Sequence, residues 1–237
     1  MLGAGSIDAV HAHLPPWSAL ILALFTQVGA IWFAATLLIV AYVRGHRRMS
    51  VTIAGLLVAG TGTWLAFKVI HPVPRPEQLL LAPGDLPAVV GAVYDVAIVD
   101  MGHRFPSGHA VTSTIFYGSL ALRLSRPRTA VRLPAAVLVI VVVGFTRIAL
   151  GVHLPVDVIG GIVIGASIIA IHHLVVRATA GRFDHLAVQL GLIGAVGCAI
   201  VHLAIGMLDP LVVVLLGVSV GLWYGVRAGF VAGSGVE

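Results

Sequence analysis

Charge is what this chain lacks most. Only 10% of its 237 residues are Asp, Glu, Lys or Arg, against roughly a quarter in soluble domains, which excludes an ordinary water-soluble fold. Lysine is nearly missing: of the 14 basic residues only Lys68 is not an arginine. Cysteine is reduced to Cys198, inside an apolar run, which excludes an intramolecular disulfide and a thiolate metal site. Residues 1–16 have no basic stretch leading into an apolar segment and include Pro15 and Pro16, so no cleavable signal peptide is expected. No internal repeat or low-complexity tract is evident.

What is present is hydrocarbon. Hydrophobic residues make up 59% of the chain, and the mean hydropathy is +1.08. These values point to an integral membrane protein of one domain, residues 1–237. Seven apolar runs can be marked, at about 18–43, 51–71, 108–124, 133–150, 155–176, 186–207 and 210–227, and most fit the ~20 residues that cross a bilayer core. Each run is continuous rather than alternating, so the spans are helices and not barrel strands. The expected fold is an all-α, polytopic transmembrane helix bundle of six to seven spans. The stretch 86–99 is apolar but too short to span, and Asp95 interrupts it. It reads as an interfacial helix or lid.

The distribution of arginine orients the bundle. Arg44, Arg47 and Arg48 follow the first run. Arg123, Arg126, Arg128 and Arg132 sit between the third and fourth, Arg177 and Arg182 between the fifth and sixth, and Arg227 after the seventh. With seven crossings all of these fall on one side, which the positive-inside rule makes cytoplasmic. Orientation thus explains the basic balance, and no nucleic-acid partner is implied. Lys68, Arg75, Arg104 and Arg147 remain on the outer side, against the rule, and a position that resists the rule is a functional candidate.

Three segments meet on that outer face. Lys68-Val-Ile-His-Pro-Val-Pro-Arg75-Pro76 closes the second run, where Pro72, Pro74 and Pro76 stop the helix. Phe105-Pro106-Ser107-Gly108-His109 opens the third, with Ser107 as N-cap and Gly108 allowing close approach to a helix N-terminus that suits an anion. Thr146-Arg147-Ile-Ala-Leu-Gly-Val-His153-Leu-Pro155-Val-Asp157 links the fourth and fifth. Proline favours the first helical position, so a helix is expected from Pro155 with Asp157 in its first turn, reaching back to His153. A carboxylate on one ring nitrogen fixes the tautomer and leaves the other nitrogen as base or nucleophile. Cations, backbone amides and two histidines on one side of a membrane suit a tetrahedral anion. A metal at His153 and Asp157 is the competing reading. Nearby cations oppose it, and no second carboxylate stands at ligand spacing. Taken singly, Lys68 and Arg75 read as snorkelling side chains and His109 as an interfacial histidine.

In order and internal spacing the three segments resemble the tripartite signature of the type 2 phosphatidic acid phosphatase (PAP2) superfamily. That superfamily includes lipid phosphate phosphatases, bacterial-type undecaprenyl diphosphate phosphatases, glucose-6-phosphatases and the soluble vanadium haloperoxidases. The motif-bearing core covers about residues 51–176. Two departures are visible. The third motif usually begins Ser-Arg and here begins Thr146-Arg147, which keeps a hydroxyl for phosphate. Many lipid-acting members have six spans with the N-terminus inside, whereas this count has two spans before the first motif and three after the third.

The resemblance implies His153 as a nucleophile that becomes a phosphohistidine, Asp157 as its orienting group, and His109 as acid to the leaving group and then base to water. It implies phosphate binding by Lys68, Arg75, Ser107, Gly108 and Arg147, with no metal and no cofactor. His103 and Arg104, next to the second segment, and His71, within the first, are read as contacting either a second phosphate or only the lipid headgroup, the plainer headgroup reading being favoured. His172, His173, His185 and His202 are assigned nothing. The expected partner is a lipid phosphate or diphosphate in the cell membrane, with the site facing outside. A polyprenyl diphosphate is favoured, on family analogy, over a glycerolipid phosphate such as phosphatidic acid or phosphatidylglycerol phosphate. A phosphotransferase would use the same residues. An anion or lipid transporter is the rival from another class, disfavoured because the ionisable residues cluster at one surface rather than at the midplane. A non-catalytic lipid-binding relative is the third possibility, and the presence of both histidines speaks against it.

Overall fold

The structure is a computed structural model, and it describes residues 5–76, 78–98, 103–125, 128–179, 185–207 and 209–229. These residues form ten α-helices and no strand. In chain order they are α1 (Gly5–His11), α2 (Ser18–Thr26), α3 (Ile31–Val43), α4 (Arg47–Ile70), α5 (Ala88–Ile98), α6 (Gly108–Arg123), α7 (Thr129–Ala149), α8 (Pro155–Ala178), α9 (Leu186–Ala204) and α10 (Pro210–Arg227). Every apolar run is therefore helical. Five helices, α4 and α7 to α10, are long and apolar enough to cross a membrane, and α2 with α3 makes a sixth if the bent pair is one span. The chain is a multi-pass helical membrane protein.

Two elements differ from a simple row of seven crossings. The run expected as one span over 18–43 is broken between Thr26 and Ile31 by a 3-10 turn and bends by 47°. The break contains no proline. Gln27 stands inside the run, and a buried amide must find partners. Its Nε2 donates to the carbonyls of Ala23 and Ala97 at 3.1 and 2.9 Å, and its Oε1 accepts from Trp32 Nε1 at 3.1 Å. Ala30 then takes an extended conformation and restarts the chain as α3. The second is α6, expected as a span, which at sixteen residues is not among the helices long enough to cross and is buried along most of its length. Helix α5 has eleven residues, about 16 Å at the usual rise, too short to span. It is the short apolar helix expected over 86–99, although Val99 lies outside the described residues.

Hydrocarbon-facing helices gain little from burying apolar surface against one another, so close backbone approach holds such bundles together. Here glycine supplies it at two parallel contacts. Gly55 of α4 lies on the backbone of Ala187 and Val188, Gly62 on that of Gly194 and Ala195, and Gly194 in turn on Ala59. Helices α4 and α9 therefore run side by side in the same direction. Likewise Gly161 lies against Ser107 and Ala110, and Gly165 against Val111 and Thr114, so α6 and α8 are parallel. Gly60 against Ile115, and Trp64 against Gly108, make α4 and α6 antiparallel. One end of the bundle thus gathers the end of α4, the start of α6, the end of α7 and the start of α8. The other ends of these helices carry Arg47, Arg123, Arg132 and Arg177.

The α4–α9 contact gives a direct expectation. A Cβ at Gly62 would collide with the Gly194 carbonyl, so Gly62→Ala must push two backbones apart. It should cost roughly 1–3 kcal/mol, as overpacking does, and lower the thermal midpoint in detergent. Gly217→Ala on α10, where a Cβ meets nothing within 4 Å, should leave the midpoint unchanged or raise it slightly.

Candidate active site

The start of α8 is built as the proline predicts. Pro155 is the first helical residue and Asp157 lies in the first turn. The residue that caps the helix is Leu154, however, and not His153. Asp157 Oδ2 accepts the Leu154 N–H at 2.7 Å, while the Leu154 carbonyl accepts the Asp157 N–H at 3.0 Å. His153 stands one residue further out, with Nδ1 3.7 Å from Asp157 Oδ2, longer than a hydrogen bond but facing it. Both side chains are wholly buried.

The turn before them depends on Gly151. Its φ of +78° lies in the left-handed region that favours glycine. A Cβ there would also collide with the carbonyl of Gln78. The strand-like stretch after the first motif therefore lies directly on the third, and Leu80 N–H donates to the Leu150 carbonyl at 3.4 Å. Short helix α1 closes over the same corner. Asp8 accepts from Gln78 Nε2 at 3.0 Å, and His11 Nε2 lies 3.0 Å from the Ala149 carbonyl.

Arg147, in the last turn of α7, is fully buried. Its Nη2 donates to the Ile98 carbonyl at 2.7 Å and its Nη1 to Thr26 Oγ1 at 3.3 Å, tying α7 to the ends of α5 and α2. Its carbonyl accepts from the N–H groups of Val152 and His153 at 3.2 and 3.3 Å, which fixes the position of the histidine. Thr146, expected to offer a hydroxyl to phosphate, instead donates it to the Val143 carbonyl of its own helix at 2.7 Å. A threonine inside a helix satisfies its hydroxyl this way when a carbonyl one turn back is the nearest acceptor.

The second segment is set against the third. The Ser107 N–H donates to the Asp157 carbonyl at 3.0 Å, and Ser107 Oγ accepts from Ala110 N at 3.4 Å as N-cap of α6. Gly108 lies under the edge of the Trp64 indole, where a Cβ would stand 3.2 Å from Cε2. Over that indole sits the ammonium of Lys68, 4.7 Å from the ring centroid, a cation–π contact in a side chain only 3% exposed. Lys68 and Gly108 thus both lie against one tryptophan. Arg75 lies in the extended segment after α4, two residues beyond Val73, whose carbonyl accepts the Arg104 N–H at 3.0 Å. His71 stacks on Phe67 with centroids 6.0 Å apart.

Arg104 is the site residue that sequence reasoning passed over. Its Nη1 lies 3.0 Å from both oxygens of Asp157. The plainer reading, contact with the lipid headgroup alone, does not include this partner. A wholly buried carboxylate needs a counter-charge, and the chain brings Arg104 beside it by folding the 103–107 loop onto the start of α8. The only hint in sequence was that Arg104 belonged to the small outer set of cations.

His109, in the first turn of α6, forms part of the wall of an open cavity of about 750 Å³ bordered by α2, the start of α3, α5, Trp64 and Thr112. The lining is mostly aliphatic, including Leu20, Leu24, Val89 and Val93. Two buried donors border it without a hydrogen-bond partner among the described residues, Trp64 Nε1 and the Tyr94 hydroxyl. Burial pushes the Tyr94 hydroxyl up to about 12, so it stays protonated. Ile31, Trp32 and Trp64 also border a second apolar groove of about 650 Å³ between α3, α4 and α10.

The arrangement sets a buried carboxylate facing His153, brings the start of α6 against it through Ser107, and puts His109 of that helix start on the wall of an apolar cavity. Such a set can hold an oxyanion and move protons around it. No curated protein and no solved structure matches the chain. The profile of the PAP2 superfamily matches residues 49–180, a stretch that begins at the foot of α4, ends just past α8 and contains all three motif segments. Since that stretch is more than half of the sequence, the chain belongs to the PAP2 superfamily.

Proposed function

We propose that this protein is a membrane phosphatase that removes phosphate from a lipid phosphate or diphosphate through a phosphohistidine on His153. Membership in the superfamily supports phosphatase chemistry at the coarse level. The observation that carries the finer reading is the helix start that bonds to Asp157 through Ser107 and presents His109 on the wall of a large apolar cavity. A water-soluble phosphoester would have little use for an aliphatic wall next to the catalytic histidine, whereas a lipid needs a place where its chain leaves the headgroup.

In this reading Asp157 faces Nδ1 of His153, and Nε2 attacks phosphorus. The N–P bond forms as the P–O bond to the lipid breaks, and His109 gives its proton to the departing oxygen. His109 then takes a proton from water, the water oxygen attacks phosphorus, and the N–P bond breaks to release inorganic phosphate. Lys68, Arg75, Arg147, the Ser107 hydroxyl and the Gly108 amide stabilise the charge that builds on the equatorial oxygens. A polyprenyl diphosphate is the favoured substrate, since two apolar hollows share the wall of Ile31, Trp32 and Trp64 and would suit a long chain, and a glycerolipid phosphate is the alternative. The site faces the non-cytoplasmic side, since the arginine-rich turns lie at the other ends of the same helices.

Two measurements test this. Purified protein in detergent should release phosphate from a polyprenyl diphosphate in the presence of excess chelator, and faster than from phosphatidic acid. His153→Ala should lower turnover to background with the fold retained. Turnover that survives His153→Ala, or that chelator stops, would overturn the histidine mechanism. For sidedness, the native Cys198 is buried, so introduced cysteines report cleanly. Gly84→Cys should react with an impermeant maleimide added outside intact cells, and Ser125→Cys should not. The reverse pattern would place the site on the cytoplasmic side.

A further inference from the structure

The three motif segments come from distant parts of the chain, yet one residue outside the motifs touches all of them. Arg104 directly precedes the Phe105–His109 segment. Its N–H donates to the Val73 carbonyl, inside the first segment, at 3.0 Å. Its guanidinium Nη1 lies 3.0 Å from each oxygen of Asp157, in the third. We propose that Arg104 is a positioning residue for the phosphatase reaction, holding Asp157 ionised and in the rotamer that orients His153. The proposal rests on the histidine mechanism above.

The geometry of the carboxylate supports this role. An ionised carboxylate has about four lone-pair sites. Leu154 N–H takes one on Oδ2 at 2.7 Å, and a single nitrogen of Arg104 bridges the two oxygens. Leu154 and Arg104 thus both meet Oδ2, the oxygen that His153 Nδ1 faces at 3.7 Å, and together they fix the edge of the carboxylate turned to the imidazole. Without Arg104 the buried carboxylate would lose the guanidinium that meets both its oxygens. It would then take up a proton or turn towards water, and in either case cease to be a fixed acceptor for the Nδ1 proton. The exposures fit a support reached from the edge of the site: the Arg104 side chain is 18% exposed and that of Asp157 0%. Arg104 is also absent from the wall of the cavity beside His109, which argues against a role in gripping the lipid.

The test uses the full chain in detergent with a lipid phosphate that the wild type turns over. Arg104→Gln should lower kcat about 10- to 100-fold, the size expected for losing one charge-assisted hydrogen bond, with KM held within about threefold. Arg104→Lys, which keeps the charge, should recover most of the loss. Asp157→Asn should be severe alone, and the double variant Arg104→Gln/Asp157→Asn should be no slower than Asp157→Asn, because the two residues act as one unit. Thermal midpoints of the same four proteins read the pair without turnover, and the double variant should lose less than the two single losses combined. A kcat in Arg104→Gln within twofold of wild type overturns the proposal. So does a rise in KM with kcat intact, which would make Arg104 a substrate contact, and so do fully additive losses. An inactive wild type with coupled midpoints would instead fail the functional reading and leave the Arg104–Asp157 pair standing.

Discussion

A carboxylate buried in the first turn of α8 is the constraint around which this end of the molecule is arranged. Asp157 has no exposure, and an ionised carboxylate removed from water is tolerated only when donors surround it. The chain answers with a cap from Leu154, a guanidinium from Arg104 and the facing imidazole of His153. Each partner comes from a different constraint. The cap follows from Pro155 starting the helix. The guanidinium follows from the 103–107 loop lying on α8, where the Ser107 N–H bonds to the Asp157 carbonyl. The histidine is placed by its own N–H on the carbonyl of Arg147. One buried charge thereby locks the second and third segments into register.

That register needs a rigid frame, and the frame is made of small residues. In a lipid environment helices associate through close packing and not through exclusion of water. The glycines of α4 and α9, and those of α8 against α6, bring backbones within van der Waals contact. Helix α6 can then sit deep in the bundle with its N-terminus at a fixed height beside Trp64 and Lys68. The same end of the bundle is deliberately open on its other side. The break at Gln27 turns α2 away from α3, and the short α5 lies across the gap, so an apolar cavity forms where a straight span would have filled the space.

The buried arginine of α7 illustrates how a cation can serve frame and site together. Arg147 spends two donors on the Ile98 carbonyl and Thr26. It ties the end of α5 and the bend of α2 to the turn that carries His153. An interaction of this kind couples the cavity wall to the histidine, so that the apolar and the polar halves of the site are held by one side chain.

Much of this was legible in the order of residues. The scarcity of charge and the length of the apolar runs determined a helical membrane bundle, because a backbone in hydrocarbon must satisfy its hydrogen bonds within each segment. Local chemistry determined the start of α8 at Pro155, the cap at Ser107 and the shortness of α5. The spacings Lys68 to Arg75, Pro106 to His109 and Arg147 to Asp157 marked the segments that come together. Tertiary structure decided the rest, for reasons that spacing does not carry. Whether an arginine at the outer face snorkels or binds a buried carboxylate depends on which loop folds over which helix, and that is why the pairing of Arg104 with Asp157 was not legible. Whether the Thr146 hydroxyl meets a ligand or its own helix depends on the rotamer the bundle permits. The bend at Gln27 required an acceptor on α5, which is more than sixty residues away in sequence and adjacent only in the folded chain.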